Sequence, residues 1–542
     1  MSLNIAIVGG GPTGVYTLQA LIASPVPCFI TLFERSGMAG VGMPYSPQFA
    51  TVNMLANIGS IEIPPLTETY QAWLQRQPAT FLAPYDVDGA TISDRGFYLR
   101  ILLGMFFRDQ LERLVIAGRG RGHRIAVREH QNIIDIAEKD QGVRLTVGGQ
   151  DGQTAQLNFD RAIIASGHDW GGSHLPDGVI LPNPWTGLID APQIGSEIAI
   201  LGTSLSGIDA VVAAAARIGT FVRTAAGLSF TLYDPANPTR LTMMSRTGLL
   251  PETDFYCPLP YDPCSAFTPD ALAASLAAGQ TGLLDRLFNL FMAEIGVADA
   301  IFANQLRKSR VTVDTVFDAM SALRRASDPF TWARADLAQS LADTTARHTV
   351  PWRYAVLRMH EAFSDLYKAM SRDDRRRFDA SLRRVFVDNY AAVPPLSMER
   401  LIALSDAGVL SIKALGPEYA ITPHLDATGF AIGTGDDVVI CDTLIDARGQ
   451  RSLRLGSLPF ATLRAQIRAQ AGSDDVLERV LSPSFGLCLT PDKPPAIYLA
   501  AISFLMAQHP FIQGLPGSHE IAVAVCADLL RDVAPTVTMP AA

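Results

Sequence analysis

Asn4-Ile-Ala-Ile-Val8, followed at once by Gly9-Gly10-Gly11-Pro12-Thr13-Gly14, is the stretch whose reading decides the fold. It is a short β-rich run closing on G-x-G-x-x-G. A helical pattern follows from Val15 to Ala23, and a second strand from Phe29 to Phe33 ends on Glu34. Each part has a physical task. Gly9 permits the tight turn, Gly11 lets backbone approach a diphosphate, and Gly14 lets helix and strand pack closely. Pro12 and Thr13 complete the turn. The helix N-terminus presents free N–H groups and the positive end of its dipole. Glu34 stands about 20 residues past the last glycine, where an acid accepts from ribose hydroxyls. This unit opens the chain, and Glu34 is followed by Arg35 and another glycine-rich run. FAD is therefore favoured over NAD at this turn.

A second strand–turn–helix unit lies at Glu197-Ile-Ala-Ile-Leu-Gly202-Thr-Ser204-Leu205-Ser206-Gly207. The pattern is G-x-S-x-x-G, and the small Ser204 still admits a close backbone approach. Downstream, Met244-Ser245-Arg246-Thr-Gly248 carries no acid where a ribose-binding carboxylate would stand. Ser245 and the forked donors of Arg246 suit a 2′-phosphate instead, which favours NADPH over NADH. The two turns are too far apart for a solenoid repeat.

Outward from these units, the fold class read from the sequence is α/β. Two Rossmann-like dinucleotide-binding domains are expected, a three-layer ββα FAD domain and an NAD(P)H domain, with a mostly helical insertion. The expected division is residues 1–190 for the first part of the FAD domain and 191–265 for the first part of the NAD(P)H domain. The helical insertion takes 266–395, the return strands of the NAD(P)H domain 396–445, and the C-terminal part of the FAD domain 446–542. Within this scheme a helix is expected over Arg95–Ala117. Strands are expected at Arg124–Arg128, Arg144–Val147, Ala155–Phe159 and Arg161–Ala165, and a last helix over His519–Val533.

Composition narrows the function classes. The 542 residues are 48% hydrophobic and 18% charged, which is globular composition and long enough for more than one domain. A net charge of -9 argues against nucleic acid as a partner. The six cysteines form no C-x-x-C pair, so a dithiol redox centre, a disulfide framework and a structural zinc are not expected, and no other metal site is read. No positively charged signal segment and no apolar run of ~18 residues is present. A cytoplasmic protein off the membrane is the expectation, its oligomeric state left open.

Taken together, these residues resemble the two-dinucleotide flavoproteins, the FAD/NAD(P)-binding family related to class B and N-hydroxylating flavin monooxygenases of the nitrosuccinate synthase type. The resemblance is carried by Gly9–Gly14, Asn53-Met-Leu-Ala-Asn57, Arg95-Gly-Phe-Tyr-Leu-Arg100, Ile163-Ile-Ala-Ser-Gly-His168, Asn183-Pro-Trp185, the second glycine unit, Ser245–Pro251, Ile445-Asp-Ala-Arg-Gly449 and the tail Tyr498–Glu520. It spans most of the chain and is weakest in the helical insertion. The F-x-G-x-x-x-H-x-x-x-W fingerprint is absent; His174 and Trp185 are present at another spacing.

The resemblance implies hydride transfer from NADPH to FAD, then reaction with molecular oxygen to a C4a-(hydro)peroxyflavin that oxygenates a small metabolite, N-hydroxylation favoured. The alternatives are an NAD(P)H-dependent flavin reductase or dehydrogenase without oxygen insertion, and a non-catalytic flavin-binding redox sensor. Candidate catalytic residues are Asn53 and Asn57, whose amides suit a flavin's polar edge, and His168, a proton carrier or a structural histidine. Candidate cofactor contacts are Gly9, Gly11, Pro12, Thr13, Gly14, Glu34, Arg35, Met54, Arg100, Ser166, Gly167, Gly202, Ser204, Leu205, Ser206, Ser245, Arg246, Asp446 and Gly449. Trp352, Arg353 and Arg358 read as a solvated helix face, with an anion contact as the other reading. Arg375–Arg377 read as surface, and Phe485, Tyr498 and Phe504 as core. His509–Gly517 reads as a lid or a surface loop.

Overall fold

The computed structural model describes residues 2–149, 152–167, 180–181, 194–391, 393–424, 429–449, 452–472, 477–491 and 493–531. The chain divides into two compact units. The first comprises Met1–Val52, Ile58–Gly171 and Gln450–Ala542; the second comprises Gly172–Gly449 and the short segment Asn53–Asn57.

The first unit opens with β1 (Asn4–Val8), α1 (Pro12–Ile22) and β2 (Phe29–Phe33). Ile5, Ala6, Ile7 and Val8 are all buried, the continuous apolar run expected of a strand covered on both faces. Next comes α2 (Arg100–Gly120). It begins five residues later than its apolar pattern suggests, because Ser93–Tyr98 folds into a turn in which the Ser93 N–H donates to the Tyr98 hydroxyl at 2.7 Å. Then follow β3 (Arg124–Arg128), β4 (Asn132–Glu138), β5 (Val143–Gly148), β6 (Thr154–Phe159) and β7 (Arg161–Ile164). Strands β4, β5 and β6 make an antiparallel three-stranded sheet.

The second unit contains β8 (Ile180–Leu181), β9 (Glu197–Leu201), α3 (Leu205–Ile218), the hairpin β10 (Gly219–Thr224) and β11 (Gly227–Leu232), and β12 (Arg240–Ser245). Eight helices follow among the described residues. They are α4 (Pro269–Ala277), α5 (Leu283–Ala298), α6 (Ala300–Lys308), α7 (Val316–Ala326), α8 (Pro329–Ala346), α9 (Pro351–Ala369), α10 (Arg372–Ala380) and α11 (Leu382–Tyr390). Their sequence punctuation is explicit. Thr268, Asp299, Asp328 and Ser371 each accept from a first-turn backbone N–H as N-caps, and Pro269, Pro329 and Pro351 sit in first turns. After α12 (Pro395–Asp406) come β13 (Leu410–Ala414), β14 (Ala420–Pro423), β15 (Phe430–Thr434), β16 (Asp437–Cys441) and β17 (Thr443–Asp446). A parallel sheet runs β13-β12-β9-β17-β8, and β14, β15 and β16 form an antiparallel sheet.

The chain then completes the first unit with α13 (Ala461–Ala471), β18 (Ile497–Leu499) and α14 (Gly514–Leu529). The parallel sheet of this unit runs β18-β7-β1-β2-β3. Helix α14 starts before the expected His519 because Pro516 falls in its first turn, where a missing N–H costs nothing. Each unit thus pairs a parallel five-stranded sheet with an antiparallel three-stranded one. The second carries the helices between β12 and β13.

Candidate functional site

In an open parallel sheet, ligands gather at the carboxyl ends of the strands. In the first unit that edge carries the turn after β1, Glu34 after β2 and Ala165–Gly167 after β7. The turn is glycine for stated reasons. Gly9 has φ +114, and a Cβ there would stand 2.2 Å from the Ala165 carbonyl oxygen. A Cβ on Gly14 would stand 2.2 Å from the Gly9 carbonyl oxygen. Gly11 has an ordinary extended backbone, φ -76, so its need is space rather than conformation. A Cβ there would meet the Gly42 Cα at 3.2 Å, within a loop fixed to the turn by the Gly40 N–H donating to the Gly10 carbonyl.

Helix α1 has Pro12 in its first turn, no side-chain cap on Gly11 and no acidic residue in the first turn. Its N-terminal donors are left for an anion. Thr13 donates through its hydroxyl to Ser518 at 3.1 Å, tying α1 to α14. Glu34 accepts from the Gly10 N–H at 3.0 Å and the Ser36 N–H at 2.8 Å. These contacts orient the carboxylate and leave lone pairs for further donors. Arg35 is exposed beside it. Ser166 is exposed, and the Gly167 carbonyl accepts from the Ser503 hydroxyl at 3.1 Å. Arg100 is buried at the start of α2 beside Tyr45. Loss of water pushes the Tyr45 phenol up from its ordinary pKa, and the Arg100 charge pulls it back.

The second unit repeats the geometry. Gly202 has φ +125, and a Cβ there would stand 2.4 Å from the Ala447 carbonyl oxygen. A Cβ on Gly207 would stand 2.2 Å from the Gly202 carbonyl oxygen. Ser204 takes the place of Gly11 with φ -100 and is exposed, so serine fits without strain. Leu205 and Ser206 open α3, whose first turn has no acid and whose cap makes no side-chain bond. Ser245 ends β12. Its hydroxyl accepts from Thr203 Oγ1 at 3.1 Å and from the Gly248 N–H at 3.0 Å, which pins the turn ahead of any ligand. Arg246 is exposed at the end of this strand and makes no ion pair among the described residues. Asp446 ends β17 opposite Leu201 and is held by Arg448 through two bonds of 2.7 Å. Gly449, φ +86, is exposed just beyond.

The amide-rich loop has a specific anchor. The Asn53 carbonyl accepts from Arg400 Nη1 at 2.6 Å, and Met54 is buried. Asn57 is half-buried. His168, His174, Asn183 and Trp185 lie outside the described residues.

Some sequence readings change. Arg353 and Arg358 do not face solvent. Arg353 is buried against Glu252 at 3.4 Å and stacks on Phe255 at 4.2 Å. Arg358 meets Glu294 at 3.0 Å, and Glu294 also accepts the N–H groups of Ser265, Ala266 and Phe267. Trp352 stacks on Phe302 with ring centroids 4.5 Å apart. Arg377 bridges Asp285, Asp314 and Asp374 between helices. Phe485, Tyr498 and Phe504 are core as expected. Phe485 takes φ +64, costly for a bulky residue. His509 is buried against the Phe485 ring at 5.4 Å, so His509–Gly517 is a packed segment leading into α14 and not a free loop.

Residues 6–169 match the family model described as FAD-NAD(P)-binding, and residues 268–390 match the YdhS-like middle domain. The protein YdhS of Escherichia coli (strain K12), described as uncharacterized, is 40% identical over 529 residues, covering 97% of each chain. This chain belongs to the YdhS family. Solved structures similar to this YdhS-family chain include the ornithine N-hydroxylase of Kutzneria sp. 744 (TM-score 0.51, 13% identity, 98% of this chain and 100% of that one). They also include ornithine hydroxylase from Pseudomonas aeruginosa (TM-score 0.50, 14% identity, the same coverage) and L-lysine 6-monooxygenase from Pseudomonas syringae (TM-score 0.50, 13% identity, the same coverage). At these identities the likeness speaks for the fold, that of the two-dinucleotide flavoproteins. Among the described residues no helix is long and apolar enough to cross a membrane, and no group of three metal-ligating side chains is found.

Proposed function

We propose that this chain is an FAD-dependent, NADPH-dependent monooxygenase of a small nitrogen-containing metabolite, with N-hydroxylation as its reaction. The observation that carries the reading is the duplicated glycine cradle. Gly9 and Gly14 in one unit, and Gly202 and Gly207 in the other, lie against carbonyl oxygens where any Cβ would collide, each beneath an uncapped helix N-terminus. Such a pair of cradles suits two diphosphates. The resemblance of the sequence to N-hydroxylating flavin monooxygenases, and the names of the similar structures, supply the reaction type.

In this reading the backbone donors of Gly11, Thr13 and Gly14 hold the FAD diphosphate. Glu34 accepts from the adenosine ribose, with Arg35 beside it. Arg100, Ser166 and Gly167 complete the flavin's surroundings. His168 moves a proton. On the other unit Gly202, Ser204, Leu205 and Ser206 hold the NADPH diphosphate, Arg246 takes the 2′-phosphate, Ser245 shapes the turn that presents it, and Asp446 and Gly449 border it. When bound, the two cofactors supply the hydride and oxygen chemistry. The chain's own task is to bind, orient and exclude water.

The test is direct. Purified protein should be yellow, and NADPH oxidation and oxygen uptake should rise together when the right amine from a panel of amino acids and amines is added. The hydroxylated product should gain one oxygen by mass. Colourless protein that stays colourless after excess FAD would end the reading. NADPH oxidation that yields only hydrogen peroxide with every amine would leave a flavin reductase.

A further inference from the structure

We infer that Arg448 screens the carboxylate of Asp446 from the diphosphate in the second glycine cradle, so that this ion pair sets the affinity for any nucleotide whose diphosphate sits there. The inference rests on the dinucleotide reading above and goes beyond it. It gives Arg448 a role in nucleotide binding, and that role is indifferent to the 2′-phosphate.

The argument starts at a strand end. Strand β17 runs parallel to β9, with Asp446 opposite Leu201 and the Ala447 N–H donating to the Leu201 carbonyl at 2.8 Å. The chain after β17 therefore lies against the turn after β9. A Cβ on Gly202 would stand 2.4 Å from the Ala447 carbonyl oxygen and 3.3 Å from the Arg448 nitrogen. That nitrogen donates to Asp446 Oδ1 at 3.3 Å. The carboxylate is thus two short contacts from the glycine that shapes the turn. A bare acid is out of place here. The turn and the N-terminus of α3, which has no side-chain cap and no acid in its first turn, suit an anion. A diphosphate arriving there would meet a like charge close by.

Arg448 answers that charge. Its Nε and Nη2 each donate to one Asp446 oxygen at 2.7 Å, a bidentate fork. The Arg448 and Asp446 side chains are 32% and 20% exposed, so water and salt screen the pair incompletely. The bond to Asp446, with a further one to Tyr419, holds Arg448 charged beyond the ordinary arginine range. Tyr419 packs on the cluster that contains Leu201, Met244 and Leu415, at the carboxyl ends of their strands. The guanidinium is therefore fixed at this edge of the sheet, and the ion pair as a whole is neutral. With Arg448 in place the backbone donors of the cradle act on the diphosphate unopposed. Without it the Asp446 carboxylate works against them. Methionine at position 448 keeps the stem and loses the charge; lysine keeps the charge and loses the fork.

The experiment uses the full-length protein loaded with oxidised flavin and measures binding by calorimetry, with no turnover needed. The probes are NADP+, NAD+ and 5′-ADP. Arg448→Met should weaken all three by about tenfold or more at low salt, and by less in about 1 M salt, where like charges are screened. Asp446→Asn removes the opposing charge and should tighten all three. Added to Arg448→Met, it should recover most of the loss. Arg448→Lys should stay close to wild type. Asp446→Asn that weakens binding, or a double variant that binds no better than Arg448→Met, would make the pair a brace for the turn and overturn the inference. Unchanged affinities in Arg448→Met would overturn it too. A loss confined to NADP+ would assign Arg448 to the 2′-phosphate and overturn it as well. Should Arg448→Met fail to fold, the direction of the Asp446→Asn effect still decides. Each of these failures leaves the dinucleotide reading standing. Wild type that binds none of the three probes would remove that reading itself.

Discussion

The two cradles can be told apart by making the same substitution in each. In Gly207→Ala the new methyl would stand 2.2 Å from the Gly202 carbonyl oxygen and 2.9 Å from Met243 Cε. Met243 is flexible and can yield; the carbonyl belongs to the turn and cannot. A relaxed C···O contact is about 3.3 Å, so α3 and the turn must part by about 1 Å. That shift carries the helix N-terminus away from the phosphate. A misplacement of this size costs on the order of 100-fold where geometry matters. Gly207→Ala should therefore remain yellow yet bind NADPH about 100-fold more weakly, by the same scaling. Gly14→Ala meets the Gly9 carbonyl at the same 2.2 Å and should be purified without flavin. The assay is the flavin-to-protein absorbance ratio together with NADPH titration, with circular dichroism to show that each variant is folded. If Gly207→Ala binds NADPH normally, or loses flavin as Gly14→Ala does, the assignment of one nucleotide to each unit is wrong.

Arg246→Ala should raise the Michaelis constant for NADPH and leave that for NADH unchanged; equal effects on both would remove Arg246 from the 2′-phosphate. Glu34→Ala removes the acceptor of the Gly10 and Ser36 N–H groups as well as that of the ribose, and should weaken FAD about 10- to 100-fold, read as flavin released on dilution; full retention would count against the ribose role. Glu294→Ala strands three backbone N–H groups and the Arg358 guanidinium in a site where Glu294 is 1% exposed. A loss of about 3–5 kcal/mol is expected, seen as lower protection of residues 262–267 in hydrogen exchange, and unchanged protection would refute it.

How much of this was legible in the sequence depends on what kind of constraint each residue obeys. Gly9, Gly14, Gly202 and Gly207 are fixed by backbone contacts within a few residues or across one strand, and such local demands write a spacing into the chain. Glu34 was legible for the same reason, as it ends the next strand. Strand β4 was not, because a bulge between Ile133 and Asp135 breaks its period of two. The hairpin β10–β11 was missed because much of its surface is exposed and its strands lack an apolar run. Arg353 and Arg358 were misread because an arginine facing solvent and one facing a buried glutamate look identical in sequence. The partners, Glu252 and Glu294, are distant in the chain, and only the folded insertion brings them together.

That last point bears on what the insertion is for. Burying several arginines with their acids gains little stability over well-packed apolar residues, since the loss of hydration offsets most of the attraction. What such a network does supply is register. Glu252 meets Arg353 and Arg324, Arg324 meets Asp388 and the Leu250 carbonyl, and the Asp254 carbonyl accepts from Ser340. Apart from the Arg324–Asp388 pair, which joins two helices of the insertion, each of these contacts joins the segment after β12 to an insertion helix. An apolar interface of equal area would tolerate sliding by a methyl's width, whereas these bonds admit one alignment. A helical insertion joined in this way holds the segment that follows β12 in one position, at the carboxyl end of a strand of the parallel sheet.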